Sequence, residues 1–83
     1  MAKHLTATEV ADVIERFVEG RTGTWEWDDF TSVLQSDVAV EQARLRCIAV
    51  RDEFPSNHPH DYCSSRGLEA LRDIARQLRA RAV

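Results

Sequence analysis

Cys47, His58, His60 and Cys63 are the side chains of this 83-residue sequence whose chemistry could converge on a zinc ion, and the last three fall within one short segment. Paired zinc ligands usually stand two or more residues apart, so His58-Pro59-His60 matches no common finger. Cys47 falls on an apolar helical stripe, where cysteine serves as a small hydrophobe. Cys63 comes just before a helix start, whose dipole lowers a thiol pKa, and nearby histidines could assist it as a nucleophile. No oxyanion-hole motif, glycine-rich phosphate loop or orienting acid accompanies it. The sequence therefore predicts no enzyme, catalytic residue, metal or cofactor. A metal or thiol site built from His58, His60, Cys63 and Cys47 is the alternative.

Trp25-Glu26-Trp27-Asp28-Asp29-Phe30 offers a different chemistry, that of recognition. It gathers three of the chain's six aromatic residues and three of its fourteen acids into six positions. Large aromatics supply the most burial per residue, whereas carboxylates are rarely buried unpaired, so the block must divide between core and water. Trp27 and Phe30 follow helical spacing and suit a core. Trp25 precedes the helix and suits exposure. Exposed aromatics beside carboxylates can anchor a basic protein, with the acids steering its approach.

Charge supports that reading. The net charge of −3 divides into −6 over residues 1–42, with nine acids, and +3 over residues 43–83, with eight arginines. Arg72, Arg76 and Arg79 on the last helix suggest a nucleic-acid accessory protein, because a positive face can track phosphates. The acidic first half opposes this, no aromatic is interleaved with these arginines, and Glu69 and Asp73 are spaced at i+3 to pair with Arg72 and Arg76. A solvated face, or one paired with the acidic half, accounts for them better. No apolar run approaches membrane-spanning length, and the first residues lack a secretory signal's apolar stretch. Two cysteines are too few for a disulfide scaffold. The expectation is a cytoplasmic protein with free thiols, no membrane contact and no set oligomeric state.

Four helices must position these residues. Thr6-Ala7-Thr8-Glu9 fits a capping box, Leu5 and Val10 a hydrophobic staple, and Val10, Val13, Ile14, Phe17 and Val18 one buried face ending at Gly20. A short second helix is expected from near Asp28, capped by Thr24 or Asp28, with Trp27, Phe30, Val33 and Leu34 at helical spacing. Ser36-Asp37 caps a third whose stripe is Val40, Ala43, Cys47, Val50 and Phe54, with Leu45 and Ile48 on a second apolar side. Residues 55–62 form a proline-bearing loop, after which Ser64 or Ser65 caps a fourth helix burying Leu68, Leu71, Ile74, Ala75 and Leu78. Length allows one domain over residues 1–83, and the fold class is all-α, a compact bundle of four short helices.

Residues 25–30, Phe54-Pro55 and Tyr62-Cys63-Ser64-Ser65-Arg66-Gly67-Leu68 resemble the landmarks of a group of small uncharacterised bacterial helical proteins. More loosely, Phe54-Pro55-Ser56 and Ser64-Arg66-Gly67-Leu68 resemble the immunity proteins of nuclease colicins. Those carry tyrosines beside the proline of their toxin-binding helix, where this chain has Phe54 after Asp52-Glu53. The resemblance implies a compact inhibitor whose negative surface covers a basic enzyme. The combined expectation is a non-catalytic protein-binding module, immunity-like or antitoxin-like, acting on a basic partner through Trp25, Glu26, Asp28 and Asp29, with Glu15 and Glu19 as neighbouring acids.

Overall fold

The computed structural model describes residues 5–23, 25–58 and 61–82, and among them it contains four helices and no strand. These are α1 (Ala7–Val18), α2 (Glu26–Ser32), α3 (Val38–Glu53) and α4 (Ser65–Ala82). The all-α bundle expected from periodicity is the observed architecture.

Both ends of α1 are closed by local bonds. The Glu9 amide donates to the Thr6 hydroxyl at 3.1 Å, and the Thr6 amide donates to the Glu9 carboxylate at 2.9 Å, which completes the capping box. At the other end Gly20 has φ +73°, its amide donates to the Phe17 carbonyl, and the Arg21 amide donates to the Arg16 carbonyl. This is a Schellman stop, and it needs a residue that tolerates the left-handed region. Between these ends Val10, Ala11 and Ile14 are wholly buried, Leu5 packs beside them, and the chief neighbour of α1 is α4.

The second helix departs from expectation. It begins at Glu26, with Trp25 at the N-cap making no side-chain bond, so Asp28 lies inside the first turns rather than capping them. Thr24, the other expected cap, lies outside the described residues. Val33 is extended and ends the helix, which leaves Leu34 beyond it and 59% exposed. Trp27 and Phe30 already fill the space beside α1 and α3, and the chain must straighten at Val33 to reach the start of α3.

The capping of α3 is as expected, by the Asp37 carboxylate, which accepts from the Val40 amide at 3.1 Å. Its stripe of Val40, Ala43, Cys47 and Val50 is buried, Phe54 is half-buried at its end, and Leu45 on the far side is exposed. The chain returns through the loop, where the Ser64 amide donates to the Phe54 carbonyl at 2.8 Å. Ser64, one of the two expected caps, accepts from the Gly67 amide at 3.4 Å. A Cβ at Gly67 would stand 2.6 Å from Cys63 Sγ, so the first turn of α4 can sit this close to the loop only with glycine there.

α4 runs antiparallel to its neighbours. Its first residues share a pocket with Phe17 and Val18 at the end of α1, while Arg79 near its own end reaches Asp12 and Glu15. Against α3, Gly67 at the start of α4 lies beside Phe54 just past the end of α3, and Gln77 accepts from Arg46 near the middle of α3 at 2.8 Å. Leu71, Ile74, Ala75 and Leu78 close the core from this side. No helix among the described residues is long and apolar enough to cross a membrane.

Candidate docking surface

Two tryptophans two positions apart receive opposite environments. Trp27 is buried against Phe17, with ring centroids 3.9 Å apart and nearly parallel, and meets Tyr62 edge-on at 5.6 Å and Phe30 at 5.5 Å. Tyr62 is fixed in turn by its hydroxyl, which donates to the Cys47 carbonyl at 2.9 Å. Trp25, two residues and about half a turn earlier, is 68% exposed. The divide comes from helical geometry. Positions 27 and 30 point inward, whereas 25, 28, 29 and 32 share the outer face at i, i+3, i+4 and i+7.

That outer face therefore presents an indole flanked by the carboxylates of Asp28 and Asp29, both exposed and neither ion-paired among the described residues. Their place in the first turn also complements the helix dipole. Glu26 is held differently. Arg16 of α1 donates to it through Nε at 3.0 Å and through a terminal nitrogen at 3.2 Å, a fork-to-fork pair that raises the arginine pKa and pins the start of α2 to α1.

Glu15 and Glu19 lie on another side of the molecule. Glu15, with Asp12, takes the Arg79 guanidinium of α4, Asp12 at 2.6 Å, and Glu19 pairs with Arg21 at 2.5 Å. Both acids border a groove shared with Arg72 and Arg76. Arg76 pairs with Asp73 one turn before it, as the i+3 spacing predicted. Part of the arginine-rich face of α4 is thus neutralised, Arg76 by Asp73 of the same helix and Arg79 by Asp12 and Glu15 of the acidic half.

A buried arginine went unforeseen in the sequence. Arg44 of α3 is 7% exposed and donates to both Glu41 oxygens, at 2.8 and 2.6 Å, and to the Thr31 carbonyl of α2 at 2.5 Å. The Arg44 bonds, followed by the Gln35 amide, hold the Glu41 carboxyl down at about 2. The Glu41 to Arg44 spacing of three was the available signal. Spacing alone could not say that the guanidinium would also close the end of α2.

Cys47, Cys63 and His58 of the alternative metal or thiol site lie among the described residues. Cys47 is fully buried in the stripe of α3, and burial pushes its thiol up to about 12. Cys63 is buried as well, and burial raises its pKa where a helix dipole was expected to lower it. Its sulfur packs over Gly67. His58 is exposed in the loop, and His60 lies outside the described residues. Among the described residues no three His, Cys, Asp or Glu side chains are grouped to hold a metal ion. No protein-family model, curated protein or solved structure matches this chain.

Proposed function

We propose that this protein is a non-catalytic binding module whose α2 face docks a basic protein, in the manner of an immunity-like or antitoxin-like inhibitor. The observation that carries the proposal is the exposure of Trp25 within one helical turn of two carboxylates that no ion pair among the described residues occupies. A large aromatic left in water contributes nothing to this core, yet on a partner it supplies the rigid, desolvating anchor typical of interface hot spots. Asp28 and Asp29 add steering and charge complementarity. Glu26 takes part through the wall it forms with Arg16, and Glu15 and Glu19 contribute field from farther round α1.

The test is a pull-down from the source cell comparing the wild-type chain with Trp25→Ala and Asp28→Asn. Wild type is expected to retain a basic protein that both variants lose or weaken, with melting temperatures matching wild type because both side chains are exposed. Capture unchanged by either substitution refutes the proposal.

A further inference from the structure

α3 and α4 enclose a small cleft of about 120 Å3, lined by no residue of α1 or α2. Buried Ile74 and Leu78 give it an apolar floor. Its rim carries Gln42 and Arg46 of α3 and Gln77 and Arg81 of α4, each pair one turn apart on its helix and all four exposed. The clefts between α1 and α2, between α1 and α4 and beneath the loop each include at least one carboxylate, whereas no acid lines this one. Arg46 gives one terminal nitrogen to the neutral Gln77 oxygen at 2.8 Å. Because the two helices run antiparallel, Arg81 and Gln42 share the other end of the cleft, and there the equivalent bond is not made. Neither side chain has a hydrogen bond or ion pair among the described residues, in contrast to Arg76 and Arg79 of the same helix, which hold carboxylates.

We propose that this cleft binds a single phosphoryl group, as a free phosphate ion or as the end of a small phosphomonoester. Size sets the first limit. Sites for drug-sized ligands begin at about 300 Å3, so the cleft takes one small group and leaves anything larger outside. Charge then selects among small groups. Both guanidiniums are cationic at any physiological pH, and a phosphomonoester carries about −1.5 to −2 near neutrality, so one phosphoryl group balances the pair. A carboxylate would leave one arginine uncompensated. The planar donor forks match phosphate oxygens, and the Gln42 amide adds a neutral donor for a further oxygen. Gln77, by holding one nitrogen of Arg46, orients the donors that remain. An anion between the two arginines also relieves their mutual repulsion, which the apolar floor strengthens by lowering the dielectric on one side.

The experiment titrates the full 15N-labelled chain with inorganic phosphate and, separately, with methyl phosphate and acetate, at neutral pH and an ionic strength held constant with sodium chloride. The Arg46 and Arg81 Nε–H signals and the Gln42 side-chain amide report the cleft. Inorganic phosphate should shift all three saturably, with a dissociation constant on the order of millimolar, as suits two exposed ion pairs. Acetate should bind several-fold more weakly. Saturable binding of methyl phosphate as well assigns the cleft to phosphomonoesters, and its exclusion assigns it to the free ion. Arg81→Gln should weaken phosphate binding about fivefold, whereas Arg72→Gln, which removes the same charge from the α1 side of α4, should leave it unchanged. Both positions are exposed, so both variants should melt with the wild type. Equal weakening in the two variants, equal shifts from acetate and phosphate, or shifts that never saturate overturn the assignment.

Discussion

α1 has a capping box at one end and a left-handed glycine stop at the other, whereas α2, seven residues long, follows a tryptophan N-cap that makes no side-chain cap bond. Helices shorter than about 12 residues are marginal in water even when every residue favours them. α1, at 12 residues, brings its own end bonds to that balance. α2 is held by what surrounds it: Trp27 and Phe30 in the core, Glu26 gripped by Arg16, and the Thr31 carbonyl closed by Arg44. These attachments occupy its inner side and its two ends. The outer face is left outside the core, and that is where Trp25, Asp28 and Asp29 stand. A helix fixed from behind can present a rigid face forward.

Removing the inner attachment of α2 should have the largest effect. Trp27→Ala deletes a ring stacked on Phe17 and should cost about 3–5 kcal/mol in denaturant unfolding, with amide exchange in α2 accelerating far more than in α1. Equal acceleration in the two helices would break the contrast drawn between them. Arg44→Met comes next, at about 2 kcal/mol, because it strands the Thr31 carbonyl and removes charged hydrogen bonds from Glu41. The same pair predicts an acid dependence. The folded Glu41 pKa of about 2 lies below its ordinary 4.5, so its contribution is complete above that value and is lost as pH falls towards 2. Wild-type stability should decline through this window, and the decline should be shallower in Arg44→Met.

Thr6→Ala should have the smallest effect, about 1 kcal/mol, since it removes one cap hydrogen bond from a helix that keeps its core face. A loss as large as that of Trp27→Ala would show that α1 depends on its local bonds much more than its burial implies.

The difference between the two helices also explains which features were legible in the sequence. The capping box, the stop at Gly20 and the stripe of α3 are set by residues within one or two turns of each other, so spacing revealed them. Both ends of α2 were misplaced because no local signal sets them. Leu34 follows the right period yet lies past the helix, at a point where the path to Asp37 requires extended chain. The clamps Arg16 to Glu26 and Arg44 to Thr31 join residues 10 and 13 positions apart, beyond the reach of periodicity.

By itself, the sequence determined four amphipathic helices, most of their caps and the residues each would bury, because backbone bonding and apolar periodicity act over a few residues. It also determined that one half would be acidic and the other basic. Tertiary structure alone decided which charges neutralise one another and which stay available. Docking α4 antiparallel to α1 brings Arg79 onto Asp12 and Glu15, and seating α2 on Trp27 and Phe30 turns Trp25, Asp28 and Asp29 to water. Ion pairing depends on separations of a few ångströms across helices, and only the packed chain sets those distances.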